Sequence, residues 1–119
     1  MFKNVLQEVV DGTEGGVAAL LMGFDGIPVE HYVRDGASLN VESVGMEYSV
    51  ILKNIRKAAE MLDAGTAREV SVRAEKMTTV IRLLNDEYFV AVALAPDGNQ
   101  GKARFLLRTS ASRLLDGLS

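Results

Sequence analysis

The sequence contains no cysteine, and its only histidine is His31. Without cysteine there can be no disulfide framework and no thiolate metal site. With a single histidine, neither a conventional zinc site nor a Ser-His-Asp triad can be assembled. His31 stands beside Tyr32 near the end of a predicted strand and is interpreted as a surface residue. We therefore expect a protein that is not an enzyme and needs no cofactor.

An excess of basic residues and a long apolar run are also missing. The 13 lysines and arginines stand against 16 aspartates and glutamates, for a net charge of -3. Because nucleic-acid phosphates are bound by basic surfaces, this balance argues against a general nucleic-acid binder. No run approaches the ~20 apolar residues of a membrane span, and the first residues lack the apolar core of a signal peptide. We expect a soluble, cytoplasmic protein that does not insert into membranes.

The remaining composition is that of an ordinary globular protein, with 48% hydrophobic and 24% charged residues. A chain of 119 residues can bury one core but hardly two. No linker, internal repeat or low-complexity segment interrupts it. Residues 1–119 are therefore predicted to form a single domain.

Residues 17–33 are predicted to form a β-hairpin. A nearly apolar run, residues 17–23, leads into Phe24-Asp25-Gly26, after which a second extended run follows. An apolar run before a turn is typical of a strand whose sheet is covered on both faces. Asp-Gly supplies the positive-φ position that a tight turn needs. Because Pro28 has no backbone N–H, we place the second strand at the edge of the sheet and the first inside it.

Two helices are predicted from apolar residues at helical spacing. A short amphipathic helix opens the chain and uses Phe2, Val5, Leu6 and Val9. A long helix, capped by Asn40 or Ser38, is predicted to run to about residue 63, with Gly65 stopping it. The residues expected to face the sheet from the long helix are Val41, Val44, Tyr48, Leu52, Ile55, Ala59 and Leu62.

The second half of the chain predicts three antiparallel strands and a helix. Around residues 69–75, Val70, Val72 and Ala74 alternate with charged or polar residues, as in an edge strand. Residues 78–84 and 88–94 flank an Asn-Asp-Glu turn, and the latter strand is apolar on both faces and so central. The final helix, from about 102 to 115, is expected to bury Ala103, Leu106, Leu107, Ala111 and Leu114.

Helix, two strands, helix, three strands and helix make an α+β protein with helices on both faces of its sheet. The sequence resembles one known family in this order of elements and in three segments. They are the hairpin at residues 19–29, the Asn85-Asp86-Glu87-Tyr88-Phe89 turn and the Gly101-Lys102-Ala103-Arg104-Phe105 helix start. The sequence is similar, over nearly its whole length, to the roadblock family of dynein light chains. The bacterial branch of that family includes the Mgl-type regulators of gliding motility.

The resemblance implies a profilin-like, five-stranded antiparallel sheet. The long helix would cover one face, and the N- and C-terminal helices would cover the other. The resemblance also implies homodimers formed through the long helix and the third strand, and a role beside small Ras-like GTPases.

The long helix has more apolar surface than one sheet face can use. A second series of residues is spaced four, three, four, three along it, a heptad-like pattern that suits a partner helix. Scattered surface hydrophobes are the alternative interpretation. The charged third strand offers a matching sheet edge. The predicted dimer interface consists of Glu47, Val50, Ile51, Asn54, Ala58, Met61, Glu69, Ser71 and Arg73.

Farther around the same helix, a second strip is predicted to bind a different partner. It combines apolar Met46 and Val50 with basic Lys53 and Lys57. Methionine adapts to varied surfaces, and lysines can steer an acidic partner toward it.

No pattern indicates catalysis or nucleotide binding. Asp11, Glu14 and Asp25 are explained as turn and solubility residues, because no spacing among them suggests an acid-base pair. The glycine-rich segments do not match a phosphate-binding loop, since Ala103 stands where such a loop needs Ser or Thr. Arg104 and Arg108 could reach a phosphate or a partner's carboxylate, although exposed helix arginines are usually only solvated.

The favoured hypothesis is a non-enzymatic homodimeric platform that binds a small Ras-like GTPase and regulates or scaffolds it. A small-molecule sensor is the rival hypothesis, because similar α+β folds form ligand pockets. A scaffold or adaptor subunit without GTPase regulation is the third. An enclosed cavity of useful size would favour the sensor.

Overall fold

The computed structural model describes all residues, 1–119. It contains three α-helices and five β-strands in the predicted order. The helices are α1 (Phe2–Asp11), α2 (Val41–Met61) and α3 (Gln100–Leu118). The strands are β1 (Gly16–Gly23), β2 (Pro28–Val33), β3 (Glu69–Arg73), β4 (Thr78–Leu83) and β5 (Tyr88–Leu94). None of the helices combines the length and apolar character that a membrane crossing requires.

The strands form one antiparallel sheet in the order β2-β1-β5-β4-β3. The predicted positions are confirmed: β1 and β5 lie inside, and β2 and β3 form the two edges. Pro28 is the first residue of edge strand β2, a position that tolerates a residue without a backbone N–H. A register shift between Leu21 and Met22 interrupts the β1–β2 pairing near this proline.

A hydrophobic core lies on each face of the sheet, because β1 and β5 are apolar on both faces. Leu21 and Val92 pack with α1 and α3 in one cluster, whereas Leu20 and Phe89 belong to the cluster that contains Leu52 of α2. The long helix therefore covers one face, and the terminal helices cover the other. The predicted α+β, profilin-like layering is confirmed.

The predicted turns and caps are also found. The side chain of Asn40 accepts a hydrogen bond from the Ser43 N–H and caps α2. Gly26 has φ +86° in the β1–β2 turn, where the Asp25 carboxylate accepts from the Ile27 N–H. The Asn85 side chain accepts from the N–H groups of Glu87 and Tyr88.

The inward side of α2 differs from the prediction in two respects. The fully buried line is Val41, Gly45, Ser49 and Leu52, so a glycine and a serine occupy positions that the apolar pattern did not mark. Leu62 was expected to face the sheet, and this is wrong: the helix ends at Met61, and Leu62 is 79% exposed. Asp63 follows with φ +54°, so the chain turns away before Gly65. The final helix is longer than predicted and begins at Gln100.

Candidate functional site

The outer side of α2 presents several exposed apolar side chains, among them Met46, Val50, Ile51 and Met61. At 100° per residue, Glu47, Ile51, Asn54, Ala58 and Met61 fall on one stripe, and every one of them is exposed. Met61 is 76% exposed, and Ile51 is 48% exposed. The heptad-like series of the sequence therefore lies on solvent-facing helix surface, where a partner helix could reach it.

A second exposed stripe runs beside the first. Met46, Val50, Lys53 and Lys57 are spaced four, three and four residues apart, and all of them are exposed. Val50 is 60% exposed and Met46 is 56% exposed. This stripe, which we call the α2 strip, presents two apolar side chains next to two ammonium groups.

The structure does not bring the β3 side chains of the predicted interface together with those of α2. Val70 packs with the cluster beneath α2, so the alternation of the strand turns Glu69, Ser71 and Arg73 to the opposite face of the sheet. Glu69 is held there by Arg104 of α3, whose Nε lies 2.8 Å from the carboxylate, and by Arg82 of β4. The unpaired edge backbone of β3, rather than this side-chain row, is what remains open at that border of the sheet.

Two side-chain contacts between α2 and the rest of the fold were not predicted. Arg56 donates hydrogen bonds to the Asp86 carbonyl and carboxylate in the β4–β5 turn. Its guanidinium also lies 4.4 Å from the centroid of the Phe24 ring, a cation–π geometry. His31 Nδ1 lies 3.6 Å from the Glu42 carboxylate near the start of the helix. Arg56 is therefore occupied at the flank of α2, while the α2 strip stays free.

An open cleft lies where the β1–β2 turn approaches the β4–β5 turn. It has a volume of about 410 Å³, and Phe24, Ile27, Val29 and Tyr88 line it together with three carboxylates, those of Asp25, Asp86 and Glu87. Ile27 is 64% exposed beside it. The cleft is apolar and acidic, but it does not enclose a ligand.

The terminal helices are joined by charged and polar contacts on the other face. Arg113 of α3 donates a 2.7 Å hydrogen bond to Glu8 of α1, and this bond and the arginine charge lower the pKa of Glu8. Tyr32 donates a hydrogen bond of 3.2 Å to the Asp11 carboxylate. The pKa of Tyr32 is raised, mainly by partial burial and next by this carboxylate. Asp25 makes the turn contact that the sequence suggested, whereas the contact of Asp11 with Tyr32 was not predicted.

The charged residues do not assemble into a metal centre. The structure places no three histidine, aspartate or glutamate side chains where they could share a metal ion. His31, the only histidine, lies with Nδ1 3.6 Å from the Glu42 carboxylate. The candidate binding sites are surfaces. They are the two stripes of α2, the open edge of β3 and the cationic start of α3.

Comparison with protein-family models gives no match, and comparison with curated proteins gives none either. Solved structures do match. MglC from Myxococcus xanthus is 43% identical, with 94% of each chain covered and a TM-score of 0.68. A fold-level match is the gliding protein MglB from Thermus thermophilus, at 16% identity, 91% and 81% coverage and a TM-score of 0.81.

Two further structures share the fold. A Roadblock/LC7 domain from Streptomyces avermitilis has 15% identity, 95% and 97% coverage and a TM-score of 0.77. A profilin from Acanthamoeba castellanii covers 100% of both chains at 12% identity and a TM-score of 0.64. The fold is thus the profilin-like one expected from the sequence. Since the identity to MglC extends over nearly the whole chain, the protein belongs to the roadblock family, in its Mgl-type branch.

Proposed function

We propose that this protein is a non-enzymatic, homodimeric platform that binds a small Ras-like GTPase through α2. The observation that carries the proposal is the outer side of α2, where two exposed apolar stripes lie next to each other. One stripe can pair with a second copy while the other remains available. Membership in the Mgl-type branch, together with the resemblance to regulators that work beside GTPases, supplies the kind of partner.

Dimerisation would use the stripe of Glu47, Ile51, Asn54, Ala58 and Met61, with Val50 at its border. An antiparallel pair of α2 helices would bring Asn54 near its own copy, where a buried amide can fix the register of the two helices. The free edge of β3 lies at the border of the sheet and could add strand pairing to the helix contact. Such a dimer would cover Ile51 and Met61, which are 48% and 76% exposed in the single chain.

The GTPase would then contact the α2 strips of both copies. Met46 and Val50 would supply apolar contacts that adapt to the partner, and Lys53 and Lys57 would attract acidic residues of its switch loops. We expect no arginine finger from this chain, because Arg56 is paired with Asp86 at the flank of α2, and Arg104 and Arg108 lie on α3. Regulation would arise from holding the switch loops in one of their two arrangements, which requires different affinities for the GTP and GDP states.

Calorimetry with the small GTPase of the same organism tests this proposal. The wild type should bind one nucleotide state more tightly, and Lys53→Glu/Lys57→Glu should abolish binding while the dimer persists in sedimentation. Lys102→Glu/Arg108→Glu, which reverses two charges on α3, is the matched control and should bind as the wild type does. Equal affinity for both nucleotide states would contradict regulation, and undiminished binding by the Lys53/Lys57 variant would move the contact away from α2.

The alternative of an adaptor without GTPase contact predicts a different result in the same experiment. The dimer would form, but no GTPase would bind in either nucleotide state. The small-molecule sensor gains no support from the cleft at the turns, since it is open and carries three carboxylates.

A further inference from the structure

We propose that the first half of α3 is a second docking surface, which binds an acidic segment of a partner protein. The surface, which we call the α3 patch, consists of Lys102, Arg104, Phe105 and Arg108. It lies on the face of the sheet opposite to α2. The inference does not depend on a GTPase partner or on dimerisation.

Positive charge is concentrated on α3, although the whole chain is acidic. The helix has four basic residues, Lys102, Arg104, Arg108 and Arg113, before its only acidic residue, Asp116. The net charge of the chain is -3. Arg113 is paired with Glu8 of α1, so the uncompensated charge lies in the first half of the helix. An acidic partner would be attracted to this half specifically.

The position of these cations is not explained by helix stability. The N-terminal end of a helix carries the positive end of the peptide dipoles and is stabilised by acidic side chains. The first turn of α3 contains no acidic residue, and Lys102 lies in it. The cap, an Asn99 side chain that accepts from the Lys102 N–H, is neutral. Helix dipole and side-chain cations therefore add to one positive surface.

An exposed aromatic ring lies in the middle of the cations. Phe105 is 46% exposed, although this helix has a buried side available in Ala103, Leu107 and Leu114. Lys102 Nζ and Arg108 Cζ each lie 5.6 Å from the centroid of its ring. An aromatic ring flanked by arginine and lysine is the kind of residue cluster that dominates binding energy at protein interfaces.

Arg104 is held in place by the edge strand. It donates to Glu69 of β3, whose carboxylate also lies 3.7 Å from Arg82 Nη1. One carboxylate is thus shared by two guanidinium groups, so the cluster keeps a positive charge. Arg73, exposed on the same face of β3, extends that charge along the edge. The donors are partly ordered before any partner arrives, which lowers the entropic cost of binding.

A protein segment fits the α3 patch better than a membrane or a nucleic acid does. The apolar side of α3 is buried in the core, so Phe105 alone could enter a lipid surface, whereas an interfacial helix needs a wide apolar face. The acidic chain as a whole would repel a nucleic acid. The surface can bind a protein segment whose carboxylates contact the cations and whose one apolar side chain contacts Phe105.

Fluorescence anisotropy with a labelled peptide tests the proposal. The probe is a short Glu- and Asp-rich peptide with one central Leu, and a peptide with Lys in place of the acidic residues is the control ligand. The full-length wild type should bind the acidic peptide in a salt-dependent manner and should not bind the basic one. Lys102→Glu/Arg108→Glu should weaken binding by about tenfold or more, since it opposes like charges. Lys3→Glu/Arg68→Glu makes the same charge change at two exposed residues outside the α2 strip and the α3 patch, and it should leave binding unchanged.

The Phe105→Ser variant tests whether the peptide binds a specific surface or is attracted by charge alone. It keeps every cation and should still weaken peptide binding severalfold, with an unchanged circular dichroism spectrum. If a charge-reversal variant unfolds, Lys102→Gln/Arg108→Gln replaces it. Equal loss in the Lys3/Arg68 and the Lys102/Arg108 variants, or no binding of the acidic peptide, would overturn the proposal. Binding to vesicles that contain phosphatidylserine, without binding to the peptide, would also overturn it and assign the patch to a membrane.

Discussion

Gly45 of α2 lies directly against Leu20 of β1, and a methyl group on the glycine would overlap the leucine Cδ2 atom. The same methyl would also lie 3.0 Å from both Cε and Sδ of Met22. Leu20 and Met22 are completely buried, so neither can simply rotate into solvent. The absence of a side chain at position 45 sets how closely the long helix approaches the sheet.

Gly45→Ala should therefore destabilise the protein, although alanine favours helices. Overpacking in a filled core costs about 1–3 kcal/mol, against roughly 1 kcal/mol gained in helix propensity. Gly101→Ala on α3 is the matched control, because its nearest neighbour, Asn99 Oδ1, is 3.7 Å from the added carbon. Chemical denaturation should show a loss for the first variant and none for the second. A stabilised Gly45→Ala protein would mean that α2 can shift outward freely.

Gly26→Val should weaken the fold through the hairpin turn. At φ +86° a β-branched residue is strained by about 1–2 kcal/mol or more, even though only Ser49 Oγ lies near the added carbon. His31→Ala should change the melting temperature little, because the imidazole makes only a 3.6 Å contact with Glu42. Thermal unfolding of the Gly26→Val and His31→Ala variants, compared with the wild type, tests both expectations. A large effect of the histidine variant on partner binding would require a role for His31 that its contacts do not suggest.

Sedimentation velocity should show a dimer of the wild type at tens of micromolar. Ala58→Arg and Met61→Glu should each shift it toward the monomer, since a charge buried without a partner costs several kcal/mol. Ser112→Arg adds a charge on the exposed surface of α3 and should leave the dimer intact. A wild type that stays monomeric, or a dimer that tolerates both α2 variants, would refute the α2 interface.

The Glu8–Arg113 pair should make the stability of the protein depend on acidic pH. Because the folded pKa of Glu8 lies below its ordinary value of 4.5, the pair contributes fully above that value. Its contribution is lost as the pH falls through the lowered folded pKa. Glu8→Gln should therefore melt below the wild type near neutral pH, and the two should converge in acid. The difference should be small, since both side chains are exposed.

Glu14→Gln is the control for this titration. Glu14 is exposed, and its side chain takes part in no ion pair or hydrogen bond of the structure. Its melting temperature should follow that of the wild type at every pH. A constant gap between Glu8→Gln and the wild type down to strong acid would show that the loss is one of packing and not of charge.

The inner and edge positions of the strands and both cores could be predicted because apolar residues repeat with a clear period. Val41 and Leu52 mark the buried side of α2 in the sequence, and residues 88–94 are apolar throughout, as a central strand requires. Gly45 and Ser49 were missed because the closest approach of two elements selects small residues, which carry no hydrophobic signal. Leu62 was misplaced because apolar spacing continues past the point where the backbone turns at Asp63.

The surfaces were only partly predictable, for a different reason. The exposed stripes of α2 follow from local spacing, so the sequence was sufficient to find them. Arg104 bonds with Glu69, 35 residues away, and Arg113 bonds with Glu8, 105 residues away. Nothing in the spacing of such pairs indicates that they meet. The α3 patch could be recognised only after the fold had shown which arginines are paired and which cations surround Phe105.

The two edge strands of the sheet differ in whether another strand can pair with them. At β2, Pro28 and the neighbouring register shift disrupt the regular ladder that an incoming strand would need, whereas β3 has neither a proline nor a shift in its pairing. If two copies join through β3, the combined sheet has a Pro28 border at each end. Growth by strand addition then stops at two copies. In such a dimer both open β3 edges are paired, so the sheet cannot extend into an open-ended fibre.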